Sequence, residues 1–171
     1  MAVLEPHDGG GAMKAQDIMT ENPVCCSPND TIREAAELMR EHDCGCIPVV
    51  EDQLSKRIVG VVTDRDLACR CLAEGVSPDA EVETVMTPDP VCCAPEADVR
   101  EVERIMAERQ VRRVPVQGDE GRCVGIVAQA DLALAEDHGV SDREVGRVVE
   151  EISRPARPRE AGIAGRHAPL M

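Results

Sequence analysis

The chain contains no Phe, Tyr or Trp among its 171 residues. That absence removes the aromatic platforms on which binders of RNA and single strands stack bases. It also leaves the interior to Val, Ile, Leu, Met, Ala and Cys. Positive charge is scarce as well: 19 Lys and Arg stand against 33 Asp and Glu, a formal net charge of -14. A phosphate backbone is repelled by such a surface, so nucleic acid is not an expected partner. Long apolar runs are missing too. No window approaches the roughly 18 uncharged apolar residues that a spanning helix needs, and Met1 to Ala12, with Glu5, His7 and Asp8, shows no basic leader. No membrane partner is expected, and the expected location is the reducing cytoplasm.

What the sequence does have is a repeat. Shifted by 67 positions, Met19 to Val50 matches Met86 to Gln117 at 13 of 32 positions, including Met19-Thr20 on Met86-Thr87 and Pro23-Val24-Cys25-Cys26 on Pro90-Val91-Cys92-Cys93. After a loop two residues shorter in the second copy, Gly60, Val62, Asp66 and Leu67 fall on Gly125, Val127, Asp131 and Leu132. One unit of about sixty residues is used twice.

Each copy predicts β-α-β-β-α. The apolar stretches 24–26 and 91–93 are expected strands. Thr31-x-x-Glu34 and Asp98-x-x-Glu101 have the spacing of a helix-starting capping box. Ile32, Ala35, Ala36 and Met39, and Val99, Val102 and Met106, then recur at helical spacing as buried stripes. Two apolar arms joined by a polar turn follow, 47–50 with 58–62 and 114–116 with 123–127, and a last helix begins near Thr63 or Ala128. The fold class is α+β, with helices covering one face of small sheets and the two copies packed with pseudo-two-fold symmetry. The expected divisions are a disordered tail 1–12, repeat one 13–75, a linker 76–82, repeat two 83–137, a helix 138–153 and a disordered tail 154–171. The last helix carries Val145, Val148, Val149 and Ile152 on one side. That stripe requires a cover, from this chain or a second copy.

These residues together resemble the CBS domain, named after cystathionine β-synthase, and the pair resembles a Bateman module. The resemblance rests on Asp17-Ile18-Met19-Thr20, Ile47-Pro48-Val49-Val50 and Gly60-Val61-Val62-Thr63-Asp64-Arg65-Asp66, and in the second copy on Val85-Met86-Thr87, Val114-Pro115-Val116 and Gly125-Ile126-Val127 with Asp131. It covers roughly residues 14–135 and is nearest the small stand-alone bacterial CBS-pair proteins. It implies an adenosyl ligand of the AMP, ADP or ATP class in the cleft between repeats, no obligatory cofactor, a homodimer, and a ligand-dependent change passed to a partner protein.

The residues themselves support such a site. Thr63 stands where a strand hands over to a helix, so its hydroxyl can cap that helix or reach a phosphate there. Asp66, one turn on, can accept from a ribose diol. Arg65 lies between them as a further candidate contact. The second copy has Ala128 in place of the threonine but keeps Asp131, and it has Arg112-Arg113 where the first has Gly45-Cys46. The resemblance implies that the segment before the proline strand of one repeat approaches the phosphate held by the other. On that basis Thr63, Asp66, Arg112 and Arg113 share one cleft, with Val24, Ile47 and Val49 as walls for the adenine. The weaker opposite cleft receives Ala128, Asp131, Gly45 and Cys46. The alternative for the two arginines is surface ion pairing.

Nine cysteines in a reducing compartment, in C-C and C-x-C spacings, fit core filling better than a disulfide framework or a zinc knuckle. Cys25, Cys92 and Cys123 are expected at strand positions. No metal site is expected, and His42-x-Cys44-x-Cys46 is the one cluster that merits a zinc titration. No nucleophile with a base is singled out, so the chain is not expected to be an enzyme. A ligand-independent interaction scaffold and a thiol-based redox sensor are the rival functions.

Overall fold

The computed structural model describes residues 13–135 together with 146, 147, 149 and 150. The four residues beyond 135 are helical, while Val145, Val148 and Ile152 of the expected stripe lie outside the described residues. The elements run α1 (Ala15–Ile18), β1 (Thr20–Glu21), α2 (Ile32–Glu41), β2 (Cys46–Val50), β3 (Ile58–Thr63), α3 (Asp64–Asp66) continuing as a wider π turn to Leu72, a 3₁₀ turn (Val82–Thr84), β4 (Thr87–Pro88), α4 (Val99–Arg109), β5 (Arg113–Gln117), β6 (Cys123–Ala128) and α5 (Gln129–Leu134). Two three-stranded sheets result, β2-β3-β4 and β1-β6-β5. The class is α+β.

The helix starts are chemical. Thr31 accepts the Glu34 N–H at 3.1 Å, and the Glu34 carboxylate accepts the Thr31 N–H at 2.7 Å, the reciprocal cap that the spacing predicts. Thr31→Ala is expected to cost about 1 kcal/mol, read as a drop in melting temperature of roughly 2–4 °C. Asp98 caps differently: it accepts from Arg100 rather than completing a box with Glu101. The stripes hold with one exception in α2. Ile32, Ala35 and Met39 are buried but Ala36 is exposed, and its counterpart in α4 is the buried Glu103.

The expected strands at 24–26 and 91–93 are a correction. Each contributes a single bridge, Cys26 to Val49 and Cys93 to Val116, because Pro23 and Pro90 open these segments without an N–H to give a ladder. Cys25 and Cys92 thus lie outside the named strands, and Cys123 alone of the three opens one. The leading strands are β1 and β4 instead, and they are exchanged. β1 of the first copy pairs with β6 of the second, Glu21 opposite Gly125, while β4 of the second pairs with β3 of the first, Pro88 opposite Gly60.

The cores follow the exchange. Ile32, Ala35, Met39, Ile47, Val49 and Val62 of the first copy pack with Val82 and Val85 from the start of the second. Val99, Val102, Met106, Val114, Val116 and Val127 pack with Ala15 from the start of the first. Residues 76–82 are tied down as well. Ala80 and Pro78 carbonyls accept the Ile32 and Arg33 N–H groups at 2.9 Å each, and Val76 packs on the first core.

Candidate functional site

The β2–β3 hairpin brings Cys46 opposite Thr63, and the Gly45 carbonyl accepts the Asp64 N–H at 3.3 Å. Thr63 is extended and ends the strand, so its side chain folds back over the first turn of α3. Its hydroxyl accepts the Asp66 N–H at 3.1 Å and donates to Asp66 Oδ2 at 2.6 Å, and its own N–H donates to that oxygen at 3.0 Å. One carboxylate oxygen is thus committed to the cap. The other lies 3.4 Å from Arg70 Nε, with the Asp66 side chain 14% exposed. Arg70 also donates to the Val85 and Met86 carbonyls at 2.7 and 3.0 Å and to the Thr87 hydroxyl at 3.4 Å. Asp66 is therefore anchored, through Arg70, to the leading segment of the second copy.

Arg113 enters from the other repeat at the start of β5. A Cβ placed on Gly45 would sit 2.7 Å from Asp64 Oδ2 and 3.4 Å from Arg113 Nη2, so the missing side chain is what allows the carboxylate and the guanidinium so close to this backbone. The Cys46 thiol registers the same convergence. Burial pushes it up to about 12, Arg113 pulls against that, and Asp66 and Asp64 add to it.

Of the four expected phosphate and ribose contacts, then, Thr63 and Asp66 share one cap, and Arg113 reaches the Gly45–Asp64 backbone next to it. Arg112 is exposed, and its described contact is through its carbonyl, which accepts the Gln129 N–H at 2.8 Å. Among the described residues, neither arginine side chain has an ion-pair or hydrogen-bond partner, so the surface-pairing alternative finds no support there. Arg65 is exposed at the helix start. The expected apolar walls need correction. Ile47 and Val49 are wholly buried in the first core, on the face of β2 that meets α2, while Val24 is half-buried and open to contact. Strand alternation turns Cys46, Pro48 and Val50 to the opposite face.

The second copy repeats the cap without its hydroxyl: the Ala128 N–H donates to Asp131 Oδ2 at 2.7 Å. Where the first copy has Arg70 the second has Ala135, so Asp131 lacks that anchor. Gly45 and Cys46 lie beside Thr63 through the register of β2 with β3, as Arg113 lies opposite Ala128 through that of β5 with β6. Arg70 is the residue that sequence reasoning missed. Its spacing, four after Asp66 on one helix face, is a readable signal for a carboxylate partner.

A surface cleft of about 480 Å³ opens elsewhere, beside β1, lined by Gln16, Asp17, Met19, Glu21, Asn22 and Val124. It offers two carboxylates and no cation, so it suits no phosphate. His42, Cys44 and Cys46 do not assemble: among the described residues no group of three or more His, Cys, Asp and Glu side chains could hold a metal ion. Nor is any described helix long and apolar enough to cross a membrane.

Comparison with known proteins places this geometry. The family model of the CBS domain matches residues 15–71 and 82–137. The chain is similar to hypoxic response protein 1 of Mycobacterium tuberculosis, 39% identical over 120 residues, which are 70% of this chain and 82% of that one. A crystal structure of that protein with two coordinated zinc ions superposes with a TM-score of 0.65 at 38% identity, over 71% of this chain and 98% of the other. The CBS domain pair of protein MJ0100, solved with 5′-methylthioadenosine and S-adenosyl-L-methionine, superposes at 0.67 with 27% identity, over 75% of this chain and 98% of that one. CBSX2 in complex with AMP does so at 0.63 with 26% identity, over 73% and 96%. With two matched copies, exchanged leading strands and this strand-to-helix cap, the chain belongs to the CBS-domain family as a tandem pair.

Proposed function

We propose that the chain is a non-catalytic sensor that holds an adenosine phosphate, AMP foremost, where Thr63, Asp66 and Arg113 converge. The carrying observation is Arg113, which crosses from the second repeat to the Gly45–Asp64 backbone of the first with no ion-pair partner among the described residues. A guanidinium so placed suits a phosphate, and the Asp66 oxygen that faces Arg70 keeps a lone pair for a ribose hydroxyl. The relatives solved with AMP, S-adenosylmethionine and methylthioadenosine supply the ligand class. Val24 and the rim of the cleft contact the base, and Arg112 and Arg65 contribute charge at its mouth. The cleft around Ala128 and Asp131 is the weaker one.

Ligand bridging two repeats can shift their mutual angle only if it binds one arrangement better. That difference is what a protein partner of a cytoplasmic homodimer would sense. The test separates phosphate from nucleoside. AMP should raise the melting temperature of the wild-type chain. Arg113→Ala should weaken AMP by roughly 10- to 100-fold, the worth of a charged hydrogen bond, while leaving methylthioadenosine, which has no phosphate, nearly unchanged. No thermal shift with AMP, ADP, ATP, S-adenosylmethionine or methylthioadenosine would sink the proposal.

A further inference from the structure

Cys25 belongs to the first repeat and Cys123 opens β6 in the second. With Val50 they form a small buried cluster against Ile58, apart from both repeat cores. Cys25 is 8% exposed and Cys123 1%. The Cys25 thiol donates to the Pro23 carbonyl at 3.3 Å and the Cys123 thiol to the Gly125 carbonyl at 3.7 Å. Lys56 closes the cluster: its carbonyl accepts the Cys123 N–H at 2.8 Å, and its ammonium charge acts on both sulfurs.

We propose that Cys25 and Cys123 form an oxidation site that hydrogen peroxide converts to a disulfide, covalently joining the first repeat to the second. The Cys25 thiolate attacks one peroxide oxygen, the O–O bond breaks, and hydroxide leaves as the sulfenic acid forms. Cys123 gives its proton to that hydroxide, and its thiolate attacks the Cys25 sulfur. The S–S bond forms, the S–O bond breaks, and the departing hydroxide takes up the proton that Cys25 first released. Two thiols and one peroxide thus become one disulfide and two waters.

The roles follow from the surroundings. The neighbouring Cys123 is the main influence drawing the Cys25 thiol down, against its burial and with help from Lys56. Burial pushes Cys26 up to about 12 and Cys92 and Cys93 to about 11. Cys25 is therefore the attacking sulfur, although Cys69 is the exposed one.

The experiment maps thiols in the reduced full-length chain. One equivalent of hydrogen peroxide is added, remaining thiols are alkylated, and digested peptides are sequenced by mass spectrometry. A Cys25–Cys123 linkage should be the dominant disulfide, vanish with dithiothreitol, persist in Cys92→Ala and be lost in Cys123→Ala. The wild-type map decides even if a variant fails to fold. Oxidation of Cys69 with Cys25 and Cys123 both still alkylated would overturn the proposal, as would a dominant linkage through Cys26 or Cys92. So would zinc retained by the reduced protein and lost in Cys25→Ala, which would make the cluster a metal site. No nucleotide enters this measurement, so its outcome is independent of the ligand assignment.

Discussion

Asp66→Ala is expected to abolish the thermal stabilisation by AMP. A ligand at 100 times its Kd contributes about 2.7 kcal/mol, a melting rise of roughly 5–10 °C for a chain of this size. Without the carboxylate no acceptor remains for the ribose, and that rise should fall to zero. The variant should also start from a lower melting temperature. The Asp66 carboxylate accepts the Thr63 N–H and hydroxyl at 3.0 and 2.6 Å and stands 3.4 Å from Arg70. Stranding part-buried donors costs about 1–3 kcal/mol. The two effects separate in Thr63→Ala, which recreates the second copy's own cap, an N–H on an aspartate with no hydroxyl. That variant should keep most of the fold stability and part of the AMP response. An Asp66→Ala protein that still responds fully to AMP would place the ribose elsewhere.

The second large effect is expected where the leading strands cross. At Gly125 a Cβ would run into the Met19 side chain, and at Gly60 it would lie 2.7 Å from Met86 Sδ and 3.2 Å from the Thr87 carbonyl. Each methionine therefore lies over a glycine of the other copy's hairpin. Gly125→Val should displace Met19 and lower stability by about 1–3 kcal/mol, the range for overpacking a filled site. Gly60→Val should cost at least as much, because a backbone oxygen yields less than the end of a methionine. Combining Gly125→Val with Met19→Ala should recover part of the loss, a coupling of about 0.5–3 kcal/mol between residues 106 positions apart in sequence. Urea midpoints of the two singles and the double measure it. Strict additivity would mean that the contact contributes nothing.

Much of this was legible in residue order. The repeat, the two hairpins, the helices and the Thr31 cap are local patterns, and local patterns survive into structure. The strand exchange was not legible. A strand of two residues has no alternation to read, and two homologous sheets present nearly identical edges, so sequence cannot say which edge receives which strand. Ile47 and Val49 failed as ligand walls for a related reason. Every residue of β2 is apolar, and a run buried on both faces does not reveal which face meets the helix. For the site, the Thr63–Asp66 spacing was readable, and Arg113 was singled out by its difference from Cys46. The spacing of Arg70 from Asp66 was readable as an ion pair, but its bonds to the Val85 and Met86 carbonyls leave no side-chain signature in the sequence.

The crossing of β1 and β4 has a consequence for how such a molecule can be cut or built. Half of it, expressed by itself, would lack its third strand and the methionine that fills its hairpin glycine, and would leave a bare hydrogen-bonding edge open to unwanted pairing. The two halves supplied as separate polypeptides should instead find each other and reconstitute the whole. An ancestor carrying a single copy could have met the same demands only by trading its leading strand with a twin.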